Sequence, residues 1–185
     1  MNPTPYRRDR KRARVLTQSA FTVAIAALSS AAFSQVVLTV NPAQPQSGSN
    51  YTTIQAAIDA VPYNSLTPYD IQISPGTYHE SDTISSSQQY ITLQGMGATP
   101  SAVTITGGAG AVQMTAAGND LKFENMTFSN TGGPSAGQQN TLYIQGDKQI
   151  YDNVAINAYQ DTLQAENTGR FYIVNSTIQG TVDFI

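Results

Sequence analysis

Three segments of this chain repeat one another, and that repeat limits the possible fold more than any other feature. "FENMTFSN", "YDNVAINA" and "IVNSTIQG" each set an asparagine (Asn125, Asn153, Asn175) before a short alternating apolar run. The second interval is 22 residues and the first is 28, with the loop "TGGPSA" (131–136) holding the six extra residues. A period of this size, made of short strands and turns, is the mark of a solenoid. For all-β coils it predicts a parallel β-helix, each coil about 4.8 Å above the last. Positions one repeat apart become vertical neighbours, and the three asparagines read as an internal side-chain ladder at a turn. "YDIQISPGTYHE", "QYITLQGMG", "AVTITGG", "NTLYIQG" and "RFYIVNSTI" add strands rich in Ile, Val, Thr and Tyr, split by Gly, Asn and Ser. Ahead of them, "YTTIQAAIDAVP" places Ile54, Ala57, Ile58 and Val61 at helical spacing and stops at Pro62. A short helix there would cap the open end of the first coil. The fold class expected is all-β, a solenoid with one N-terminal capping helix.

Residues 1–34 read differently. The basic block "RRDRKRAR" (Arg7 to Arg14) precedes the apolar "AFTVAIAAL" and the small residues of "SSAAFSQ". This order predicts a secretory signal peptide cut after Ser34, and the apolar run is short for a bilayer span of about 20 residues. Residues 35–50, with the Pro, Ser and Gly of "NPAQPQSGSN", read as a linker, and 51–185 as the β-helical domain. The leader holds six of the nine Lys and Arg and one of the twelve acids, leaving three bases against eleven acids. A surface near −8 is a poor partner for nucleic acid or an anionic membrane. The expected product is a secreted, extracellular or periplasmic monomer with no membrane attachment after cleavage, and its ligand is neutral where it is bound. With no cysteine and a single histidine, His79, carboxylates are the remaining candidates for catalysis.

After the 131–136 loop the 22-residue spacing recurs at polar positions: Gln138 to Gln160, and Asp161 to Asp183. In a β-helix these pairs stack, crowding two carboxyl groups and two amides into one patch. Like charges so close cannot both ionise freely, which favours one carboxylate beside one proton donor. A carboxylate nucleophile beside a carboxylic acid suits acyl or glycosyl transfer. Amide donors suit the oxyanion that only acyl transfer develops. The pattern therefore favours ester hydrolysis through a covalent acyl-aspartate. The plainer alternative remains open: these Asp and Gln residues satisfy turns on a polar face.

"YQDTL" (Tyr159–Leu163) and "GTVDFI" (Gly180–Ile185) resemble the two signature segments of the pectin methylesterases, or pectinesterases, carbohydrate esterases built as a right-handed parallel β-helix. "PGTYHE" resembles that family's early Gly-x-Tyr-x-Glu segment, and "QQNTL" stands where the family has Gln-Ala-Val-Ala-Leu. The resemblance covers residues 50–185 and implies hydrolysis of galacturonate methyl esters in pectin, with methanol released. It implies Asp183 as nucleophile, Asp161 as acid and then base, and Gln138 and Gln160 as oxyanion donors. Gln138 and Tyr159 would touch substrate, Glu80 would be structural, and no metal or cofactor is implied. "QQNTL" departs from the family by replacing the small apolar residues after the first Gln. The family pattern also continues past "GTVDFI" with Phe-Gly and later an arginine and a tryptophan. The resemblance thus implies an incomplete chain, inactive alone. Rival expectations are a non-catalytic secreted β-helical binding or adhesin-like protein, and an esterase of the same family acting on another ester.

Overall fold

The computed structural model describes residues 34–185 apart from 109, 110, 139, 167 and 168. The basic block and apolar stretch expected to form a signal peptide lie outside the described residues. The first coil opens with β1 (Val36–Val40) and β2 (Asn50–Tyr51), followed by α1 (Ile54–Asp59). Next come β3 (Tyr69–Ile73), β4 (Gly76–Tyr78) and β5 (Asp82–Ile84), then β6 (Ile91–Gly95), β7 (Val103–Ile105) and β8 (Met114–Ala116). The later coils hold β9 (Lys122–Ser129) and β10 (Leu142–Ile144), β11 (Gln149–Asn157) and β12 (Leu163–Ala165), and β13 (Phe171–Val174) and β14 (Thr177–Gln179).

Coil on coil, these strands form three parallel stacks. One runs β1-β3-β6-β9-β11-β13 and another β5-β8-β10-β12. The third runs β4-β7-β9-β11-β14, because β9 and β11 are long enough to turn a corner and serve two faces. This is a parallel β-helix, as the repeat predicts. One boundary changes. Val36–Val40 pairs along its whole length with Tyr69–Ile73, so the solenoid begins inside the stretch expected to be linker. The run is β-branched, with Leu38 and Val40 facing inward, and that period-2 pattern outweighs the Pro- and Ser-rich residues after it.

Parallel pairing in register carries like residues over like. Leu38, Ile71, Leu93, Phe123, Tyr151 and Ile173 form one inward column through six coils. At its centre the rings of Phe123 and Tyr151 stack 4.9 Å apart at 2°, and Phe128 meets Phe123 edge-on at 5.9 Å. The buried Tyr151 hydroxyl donates to Gln149 Oε1, whose amide donates to the carbonyls of Ala116 and Gly118. Each buried polar atom of that network is thus answered, as an interior requires. Helix α1 closes the first coil with Ile54, Ala57 and Ile58 buried. Thr53 caps its start, and Glu80 accepts from the amides of Ile54 and Gln55, which gives that glutamate the structural role expected of it.

The corners between faces recur as well. Asn125, Asn153 and Asn175 hold φ of 53–56°, and Tyr90, Asp120 and Lys148 hold 52–58° at another corner. Left-handed backbone is tolerated best by Asn and Asp, whose short polar side chains bond locally. Asn153 Nδ2 donates to Asn125 Oδ1, and Asn125 donates on to the carbonyls of Gly95 and Gly97. Asn175 leaves this ladder and donates to Asp152 Oδ1. The ladder is half-buried along an outer groove rather than internal, because the left-handed corner turns these side chains off the inward column. At a third place the coils approach so closely that only glycine fits: a Cβ on Gly146 would strike the Gly118 carbonyl, and one on Gly169 the Gly146 carbonyl.

Two stability outcomes follow from this packing. Phe123→Ala should lose about 3–5 kcal/mol in urea unfolding, and Phe123→Leu less than half of that. Asp82 sits inside the solenoid over Met114 and is 1% exposed. Burial first, then the charge of Glu80 and a side-chain hydrogen bond with it, then the charge of Asp59, pushes its carboxyl up to about 8. The unfolded chain releases this proton near 3.8, so between those values the folded state binds more protons. Stability should therefore fall as pH rises from about 4 to 8 and then level off. Asp82→Val should remove that slope in thermal melts and gain about 2 kcal/mol at pH 8.

Candidate active site

The two signature aspartates stand at matching corners of the last two coils. β11 ends at Asn157 and β14 at Gln179, and the backbone then bends toward the β5-β8-β10-β12 face. The bends are zipped together. Thr181 N and Val182 N donate to the Tyr159 carbonyl, Asp161 N donates to that of Val182, and Leu163 N to that of Phe184. Gln160 pairs with Val182, which brings Asp161 into register with Asp183. Both aspartates adopt left-handed backbone, with φ of 53° and 44°. Thr162, fully buried, donates from Oγ1 to the Gln179 carbonyl and anchors the first bend. Thr141 does the same one coil earlier, donating to Asn157. Gly180 leaves the room that Thr162 Oγ1 and the Phe184 Cβ occupy.

These bends border an open cavity of about 360 Å³, walled by Gln138, Asn140, Asp161, Leu163, Gln164, Ala165, Asp183 and Ile185. Gln138, Asp161 and Asp183 are therefore brought together. Gln160 and Tyr159 lie on the same bend, half-buried, and are not among the cavity's walls. Asp161 Oδ2 is sealed from solvent and has no hydrogen-bond partner among the described residues. A buried carboxylate oxygen with no donor is costly in a structural turn, and such orphans concentrate at functional positions. Among the described residues no group of three or more His, Asp or Glu comes together as a metal site would require.

The register beside the cavity differs from the expected one. Leu142 pairs with Leu163, because the excursion from Ser129 to Leu142 is seven residues longer than the matching run from Asn157 to Leu163. The loop holds one residue more than the six assigned to it. Counting back from that pair, Asn140 comes beneath Asp161, and Gln138 falls one position out of step with Gln160.

That shift reveals a polar row the 22-residue spacing missed. Asn140 Nδ2 donates to Gln164 Oε1, and Gln164 Nε2 donates to Glu166 Oε1 at 3.2 Å. Tyr143 is the register partner of Gln164, and its hydrogen bond to the Glu166 carboxylate holds the phenol above its usual range. Counting 21 rather than 22 residues back from Asp161 would have found Asn140; Gln164 and Glu166 follow "QDTL" directly in the chain. Arg170 takes no part. Its guanidinium pairs with Asp147 at 2.7 Å and keeps that carboxyl well below the usual carboxylate range.

Comparison with known proteins gives this geometry a family. The family model described as Pectinesterase matches residues 39–185. A pectinesterase of Petunia integrifolia is 38% identical over 142 residues, covering 73% of this chain and 38% of that protein. Among solved structures, the pectin methylesterase from carrot is 30% identical with a TM-score of 0.71, covering 81% of this chain and 47% of that one. The pectin methylesterase from Aspergillus niger is 28% identical with a TM-score of 0.65, covering 78% and 50%. The chain thus spans about two fifths of the petunia protein and half or less of the solved enzymes. Its two zipped bends, its stacked faces and the length of the family match agree, and the chain belongs to the pectinesterase family.

Proposed function

We propose that this chain carries the catalytic aspartates of a secreted pectinesterase that hydrolyses methyl esters of galacturonate in pectin. One observation supports this above the rest: Asp161 and Asp183, in register on adjacent coils, border one cavity with the Gln138 amide, and among the described residues one buried oxygen of Asp161 has no partner. Asp183 attacks the ester carbonyl, and the amide N–H groups of Gln138, on the cavity wall, hold the tetrahedral oxyanion. Gln160, outside the walls on the neighbouring bend, is the second donor once substrate is bound. Asp161 gives its proton to the departing methanol and leaves an acyl-aspartate on Asp183. It then takes a proton from water, which attacks the acyl group and frees Asp183. Tyr159 borders the bound sugar chain, and the enzyme acts as a monomer on a neutral, esterified stretch of polymer. Export rests on the leader at residues 1–34. Among the described residues no helix is long and apolar enough to cross a membrane.

A second reading, a β-helical binding protein without catalysis, has one observation in its favour. The left-handed backbone of Asp161 and Asp183 is shared with the corner asparagines, so an Asx residue suits these bends for structural reasons alone. Substitution in the complete product of the gene separates the two. Asp183→Asn should lower methanol release from esterified pectin by about 10⁴-fold or more while pectin is still bound. Asp161→Asn should lower it by about 10²–10⁴-fold, and Gln138→Ala by about 10²–10³-fold. Unchanged methanol release from Asp183→Asn would overturn the assignment.

A further inference from the structure

Every lysine and arginine of the described solenoid is already engaged away from the cavity. Lys122 pairs with Glu124 at 3.1 Å, Lys148 with Asp120 at 3.5 Å and Arg170 with Asp147 at 2.7 Å. The cavity's ionisable walls are Asp161 and Asp183, and the described residues bring no cation to them. Glu166 extends this acidic ground by one step. It is exposed, yet it is held in place: Gln164 donates to it from the cavity wall, and Tyr143 bonds it from the coil before. Both ends of the Gln164 amide are committed, its oxygen to Asn140 and its nitrogen to Glu166. The carboxylate is therefore held beside the cavity by a row of hydrogen bonds, and among the described residues it has no counter-ion.

We propose that Glu166, positioned by the Asn140–Gln164 pair, is a specificity-determining residue that makes the site accept a neutral, esterified uronate beside the reacting sugar and reject a free uronate carboxylate. The inference rests on the esterase reading of the same cavity and adds the charge state of the neighbouring sugar. An ester at that position presents only neutral oxygens, whereas a free carboxylate meets Glu166 as a like charge. Such repulsion at a few ångströms in a wet site changes affinity by about fivefold and is screened by salt.

The test uses the complete gene product with Asp183→Asn in place, so that ligands are not consumed. Titration calorimetry with fully methyl-esterified and with unesterified galacturonate hexamers gives an affinity ratio for each variant. Adding Glu166→Gln should narrow the preference for the ester about fivefold at low salt, with little further change in 0.5 M NaCl. Glu166→Asp, which keeps the charge, should keep the preference and its salt sensitivity. A ratio unmoved by Glu166→Gln, or moved equally by both substitutions, overturns the proposal. Methanol release by the protein with Asp183 intact is scored separately. Its absence would defeat the esterase reading, while the hexamer ratios still decide whether Glu166 selects by charge.

Discussion

The structure depends on one constraint: each coil must lie on the previous one in register, so that backbone groups pair vertically and side chains of one kind share a column. The inward column from Leu38 to Ile173 exists because the pairing offset is kept strand by strand through six coils. A one-residue slip would turn the whole column outward, since side chains alternate with period 2. Added residues are therefore confined to loops between faces, as with the excursion between Ser129 and Leu142, and the strands beyond it resume their stack.

Short strands need sharp bends, and the bends connect fold to chemistry. A corner that repeats on successive coils asks for left-handed backbone at the same place, as at Asn125, Asn153 and Asn175. Asparagine meets that need at Asn125 and Asn153, where the side chains bond to one another and to glycine carbonyls. Aspartate meets it at Asp161 and Asp183, but there the side chains border a cavity and, among the described residues, one oxygen of Asp161 has no partner. The same backbone solution serves a structural ladder at one corner and a reactive pair at another. What separates them is whether the polar atoms are answered within the fold.

Buried and exposed charge are treated differently along the solenoid. Glu80 is used by the helix amides it accepts from, while Asp82, two residues on, is enclosed over Met114, where burial and the nearby Glu80 favour its protonated form. The cations form solvent-screened surface pairs that add little to stability, so their effect lies in leaving the acidic corner uncompensated.

The sequence by itself determined the coil repeat, the capping helix and the pairing of Asp161 with Asp183, because each rests on spacing within one strand or between two coils of equal length. Long strands such as β9 and β11 were legible for the same reason. Most of the β5-β8-β10-β12 face was not: β5, β8 and β12 are three residues each, too short for a period to show, and Asp82 interrupts the apolar pattern of one of them. Only the tertiary structure decided the register across the loop at 131–136. One residue more in that excursion brings Asn140 beneath Asp161 and shifts Gln138 against Gln160, and a count of 21 is preferred over 22 only once the pairing of Leu142 with Leu163 is seen. The row from Asn140 through Gln164 to Glu166 likewise joins residues of two coils, and hydrogen bonds between coils exist only once the stack has closed.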